Sequence, residues 1–152
     1  MNRVTLLFTL FFTSLGAATF LKASDAEWMH NFQEAREIAR AEDKTMLVLF
    51  TGSQWCPPCQ QLEKNVFASN AFADYARQSL VLVELDFDRR GQPTSTEFKA
   101  QHNRLKTRMK IRGFPTVILF DSKGEVIERT GFRRGSPEQY VDHLKKLVKG
   151  SA

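Results

Sequence analysis

Two cysteines in 152 residues are too few for a scaffold of several disulfides. Five prolines and eight glycines, without a repeating period, exclude collagen-like and low-complexity chains. No internal repeat marks a solenoid or a propeller. The three histidines, His30, His102 and His143, stand apart and no second cysteine pair exists, so the ligand set of a structural zinc site is missing. Excess charge of one sign is also small. Twenty-two Lys and Arg against 17 Asp and Glu give +5, which does not mark a nucleic-acid partner. What is present is core-forming material: 42% hydrophobic residues, thirteen of them Phe, with 26% charged residues for solubility. The length fits one domain and excludes two large ones.

Arg3 precedes an uncharged run, Val4 to Leu15, followed by the small residues Gly16, Ala17 and Ala18. That order is the layout of a secretory signal peptide over residues 1–23, with cleavage near Ala18 or Ala23. The alternative is an uncleaved anchor, since Val4 to Leu21 gives 18 residues without charge, the lower limit for crossing a bilayer. The stretch holds no cysteine for a lipid. Its removal takes away Arg3 and Lys22 and no acid, lowering the charge from +5 to +3.

Residues 24–43 read as an N-terminal helical extension. Ser24 or Asp25 can cap it, and Trp28, Phe32, Ala35 and Ile38 or Ala39 share one face. Residues 44–152 then form the main domain. Met46 to Phe50 and Leu80 to Phe87 are continuous apolar runs of buried strands. Helical character covers Gln60 to Phe67 and Ala71 to Arg77, with Ser69 or Asn70 as a cap between them. A polar helix is expected from Ser95 to about Met109. Thr116 to Phe120 and Glu125 to Thr130 are strands joined by a turn at Asp121 to Gly124. Pro137 opens the last helix behind Ser136, with Tyr140, Val141, Leu144, Leu147 and Val148 as its apolar stripe. Helices alternating with buried strands, then a hairpin and a closing helix, give an α/β three-layer fold with a mixed central sheet flanked by helices.

Trp55-Cys56-Pro57-Pro58-Cys59 follows the first strand at the mouth of a helix. Free N–H groups and the positive helix end there favour a thiolate at Cys56, the form that attacks disulfides. Cys59, one turn on, can resolve the mixed disulfide that results. As a staple, so short a loop constrains the unfolded chain little. A carrier of Cu(I) is a different class of reading; Met29, Met46 and Met109 are the third ligands available by type.

The stretches LVLFTGSQWCPPC at Leu47 to Cys59 and KIRGFPTVILF at Lys110 to Phe120, followed by DSKGEV and by Gly131 with its closing helix, resemble the thioredoxin superfamily. Within it the chain is similar to exported bacterial thioredoxin-like proteins and to the C-terminal periplasmic domain of the thiol:disulfide interchange reductase. The resemblance implies a cis bond at Pro115, opposite the cysteines, with the backbone of Phe114 pairing with substrate. Trp55, Pro57 and Pro58 complete the expected substrate surface. It further implies exchange with protein thiols and disulfides in the periplasm, favoured in the reducing direction, with oxidase or isomerase action as the alternative. An upstream membrane electron donor is implied, and no metal or organic cofactor.

Two departures stand out. Thioredoxins carry a buried acid on the strand before the cysteines, and Met46 to Phe50 has none; Glu84 on the second strand is the candidate substitute for moving a proton near Cys59. The segment Arg89 to Lys110 is long and basic, as a docking face or as a solvated helix.

Overall fold

The structure, a computed structural model, describes residues 27–150; the expected signal or anchor segment lies outside them. A parallel trio of strands, β1 (Trp28–Met29), β3 (Leu80–Asp86) and β2 (Thr45–Thr51), is extended by antiparallel β4 (Thr116–Phe120) and β5 (Val126–Gly131) in the order β1-β3-β2-β4-β5. Helices α1 (Phe32–Glu42) and α4 (Lys99–Arg108) cover one face. The other carries α2 (Pro57–Leu62), which continues as a π-helical segment (Glu63–Phe67), together with α3 (Asn70–Ser79) and α5 (Pro137–Lys149). This is the mixed three-layer architecture expected from the sequence.

Strand periodicity divides the core in two. Leu47 and Leu49 of β2, Leu80 and Leu82 of β3, and Val117 and Leu119 of β4 meet Leu62, Phe72 and Leu144 on the α2/α3/α5 side. Met46, Val48 and Phe50, with Val83, Leu85 and Ile118, meet Ala35, Ala39 and Leu105 on the other. Burial on both faces is why these strands read as unbroken apolar runs.

The first helix corrects the sequence reading. Asn31 caps α1, its side chain accepting from the Gln33 and Glu34 N–H groups, while Ser24 and Asp25, the expected caps, lie outside the described residues. Trp28 is therefore not on the helix stripe. It lies on β1 in register with Leu82 and packs against Phe67, with ring centroids 5.1 Å apart. Its i, i+4 spacing to Phe32 is compatible with a helix, but the Asn31 cap between them interrupts the pattern. Phe32, Ala35 and Ala39 do face the core. The polar helix also begins later than Ser95, whose hydroxyl instead accepts from the Phe98 N–H ahead of Lys99. The hairpin turn is where expected: Asp121 accepts from the Lys123 and Glu125 N–H groups, and Gly124 takes a φ of 89°.

Candidate active site

β2 delivers the chain to Thr51, and the turn after it needs a glycine. A Cβ on Gly52 would lie 2.6 Å from the Trp55 ring. The Gly52 carbonyl accepts from the N–H groups of both Trp55 and Cys56. Asp86, opposite Thr51 in the β2/β3 register, ties the turn to the sheet. One carboxylate oxygen accepts from the Ser53 N–H at 2.8 Å; the other accepts from the Ser53 hydroxyl at 2.9 Å and the Thr94 hydroxyl at 3.1 Å. Trp55 donates its indole N–H to the Phe87 carbonyl at 2.8 Å.

Cys56 is the cap of α2, and its sulfur accepts from the Cys59 N–H at 3.3 Å. Pro57 and Pro58 occupy the first two helical positions and carry no N–H, so Cys59 supplies the first donor of the helix. Cys56 and Cys59 form a disulfide, with 5.2 Å between their Cα atoms, and both are 3% exposed. The Phe114–Pro115 peptide is cis, as the resemblance implied, and the Phe114 carbonyl oxygen lies 3.6 Å from the Cys56 sulfur. Phe114 meets Trp55 edge-on at 6.0 Å and stacks on Phe87 at 5.3 Å. The structure thus gathers Cys56, Cys59, Trp55, Phe114 and Pro115 at one end of the sheet, with Pro57 exposed beside them.

Glu84 stands opposite Leu49 on β3, in strand alternation with Leu82 and Leu80. Burial holds its carboxyl above the usual range, Asp86 and Glu63 push the same way, and His30 opposes them. No hydrogen bond joins it to either sulfur. Met46 and Met109 are packed in the core, and Met29 packs against it. Among the described residues no three or more His, Cys, Asp or Glu gather as a metal site. The basic segment divides. Lys99, Arg104, Arg108 and Lys110 are exposed, whereas Lys106 donates to the Gly91 carbonyl at 2.7 Å and sits over the Phe87 ring.

Asp86, Ser53 and Phe87 were not singled out by sequence reasoning; the available signal was an acid at the end of an otherwise apolar strand. His102, in sequence an isolated histidine within the basic run, is 1% exposed beneath Phe87. Its Nε2 lies 3.1 Å from the His30 carbonyl, and its Nδ1 has no partner. The neutral ring therefore donates from Nε2, and burial pushes its pKa down. Below about pH 6.5, the ordinary histidine value, the unfolded chain takes up this proton before the folded one does. Stability should then fall as the pH is lowered from 7 toward 5. Urea midpoints at pH 7.5 and 5.5 check this, His102→Gln flattening the decline; equal slopes would disprove the assignment.

A thioredoxin-like domain model matches residues 32–147, most of the chain and both halves of the site. The chain belongs to the thioredoxin-like family. Its relatives include disulfide bond reductase DsbH of Chlamydia pneumoniae, 32% identical over 130 residues, which are 85% of this chain and 76% of that one. Thiol:disulfide interchange protein DsbD of Photorhabdus laumondii is 26% identical over 80% of this chain, which spans only 20% of that protein. A solved structure of a DsbH oxidoreductase superposes with a TM-score of 0.76 at 27% identity, covering 97% of this chain and 95% of that one. The thioredoxin-like assignment and the Cys56–Cys59 disulfide together make the protein a disulfide oxidoreductase. Among the described residues no helix is long and apolar enough to cross a membrane.

Proposed function

We propose that this protein is exported and works as a reductant of protein disulfides in the periplasm. The observation that carries this reading is the Cys56 sulfur held 3.6 Å from the Phe114 carbonyl, at a backbone position suited to pairing with an extended substrate. In the reduced enzyme the Cys56 thiolate attacks one substrate sulfur. A Cys56–substrate disulfide forms and the other substrate sulfur leaves as a thiolate, which takes a proton. Cys59, as thiolate, then attacks the Cys56 sulfur, closing the Cys56–Cys59 disulfide and releasing the second substrate thiol. Two electrons pass from the dithiol to the substrate. Glu84, whose carboxylate is made more basic by burial, is the group assigned to take up the Cys59 proton.

Two features support the reducing direction. Pro58 removes an N–H that would otherwise help hold a thiolate at Cys56, and a less stabilised reduced form makes a stronger reductant. The relative DsbH is itself named a disulfide bond reductase. Each cycle leaves the enzyme oxidised, so the reading includes an upstream membrane electron donor, and the two sulfurs serve as the redox group with no further cofactor. Trp55, Pro57, Pro58, Phe114 and Pro115 form the surface on which the substrate chain lies. The test is catalysed reduction of a disulfide-bonded protein with dithiothreitol as the electron source. A rate well above that of dithiothreitol alone is expected; no acceleration would reject the reading.

A further inference from the structure

Beyond the sulfurs, the corner between β5 and α5 holds a cavity of about 370 Å³ whose lining includes Arg133, Arg134, His143 and Lys146 and no carboxylate. Both arginines are exposed, and neither they nor Lys146 make an ion pair among the described residues. The acids nearest in sequence, Glu138 and Asp142, are both exposed and lie outside the lining, and Ser136 engages Glu138. The backbone at the start of α5 is already satisfied: Ser136 and Gln139 form a reciprocal capping box. The cavity's unmet hydrogen-bonding capacity therefore belongs to side-chain cations, whose forked guanidinium groups match a carboxylate.

This corner adjoins the cis-proline loop, whose Phe114 carbonyl faces the Cys56 sulfur. A Cβ on Gly131 would lie 2.9 Å from the Pro115 carbonyl oxygen, so the β5 end packs directly against the cis-proline loop. Tyr140 fastens it there, donating its hydroxyl to the Gly131 carbonyl at 3.1 Å. Arg133 follows two residues later. In the mode proposed here, a chain paired along Phe114 with its sulfur at Cys56 extends toward this corner. The charges act on the site's own groups as well. His143, hydrogen-bonded to Thr130, is held neutral to lower pH by burial and by Arg133 and Lys146.

We infer that the cavity is an anion subsite that receives an acidic side chain of the disulfide substrate, which would make acidic polypeptides the preferred substrate class. The inference rests on the oxidoreductase reading above. It is tested on the full chain with two peptide disulfides of equal length. One carries Asp and Glu on both sides of its cysteine, and the other carries Asn and Gln at the same positions. The wild type should prefer the acidic peptide by roughly tenfold in kcat/KM at low salt, and the preference should shrink once ionic strength exceeds about 0.1 M. Arg133→Glu with Arg134→Glu should reverse it, and Lys146→Gln should reduce it. A wild-type ratio near one, or a ratio that neither the variants nor salt moves, would overturn the subsite. Absence of exchange with either peptide would overturn the oxidoreductase reading itself, and the subsite with it.

Discussion

Replacing Cys59 with serine should halt the enzyme after one encounter, leaving the substrate covalently bound through Cys56. The hydroxyl cannot attack the mixed disulfide, while Cys56 keeps its place as helix cap beside the Phe114 carbonyl. Cys56→Ser should show neither capture nor turnover and fall to the uncatalysed rate, because the remaining thiol lies inside the first helical turn and not at the helix cap beside the Phe114 carbonyl. Mass spectrometry after exposure to a disulfide-bonded protein separates the variants: an adduct on Cys59→Ser that dithiothreitol removes, and none on Cys56→Ser. Equal adducts on both would contradict the division of roles.

Asp86→Ala should both destabilise the fold and loosen the turn that carries the cysteines. It removes three hydrogen bonds, to the Ser53 N–H, the Ser53 hydroxyl and the Thr94 hydroxyl. The Ser53 N–H, partly buried, is left without its acceptor. Charge-assisted bonds of this kind and a stranded donor together suggest a loss of about 2–3 kcal/mol. Because Ser53 leads into Trp55 and Cys56, the exchange rate should fall as well. Asp86→Asn, which keeps one acceptor oxygen, should recover part of both. Urea unfolding and kcat/KM on one preparation test this, and a stability change below about 0.5 kcal/mol, the range of ordinary surface substitutions, would refute the clamp.

The parts legible in the sequence share a physical cause: they are set by local chemistry or by burial on both faces. Met46 to Phe50 and Thr116 to Phe120 were recognisable because a strand covered on both sides has no polar residue to break it. The Ser136-Pro137 start of α5 and the Asp121 turn were recognisable because their side chains satisfy their own backbone. Cys56 and Cys59 needed only their spacing, whereas the cis bond at Pro115 came from the family resemblance alone.

What was missed depends on partners distant in sequence. β1 is two residues long, and only the neighbouring β3 makes Trp28 and Met29 a strand. Asp86 becomes a loop clamp only because the β2/β3 register sets it against Thr51, 35 residues earlier in the chain. His102 sits in a basic run that composition marks as solvated, and its burial follows from a helix face turned toward Phe87.

The most direct test of the central claim is the reduction potential of the Cys56–Cys59 pair, by equilibration with glutathione buffers and quantification of the two redox forms. A value near that of thioredoxin, about −270 mV, is expected of a donor recharged by a membrane electron supply. A value between roughly −180 and −120 mV would place the pair with isomerases and oxidases and contradict the reducing role.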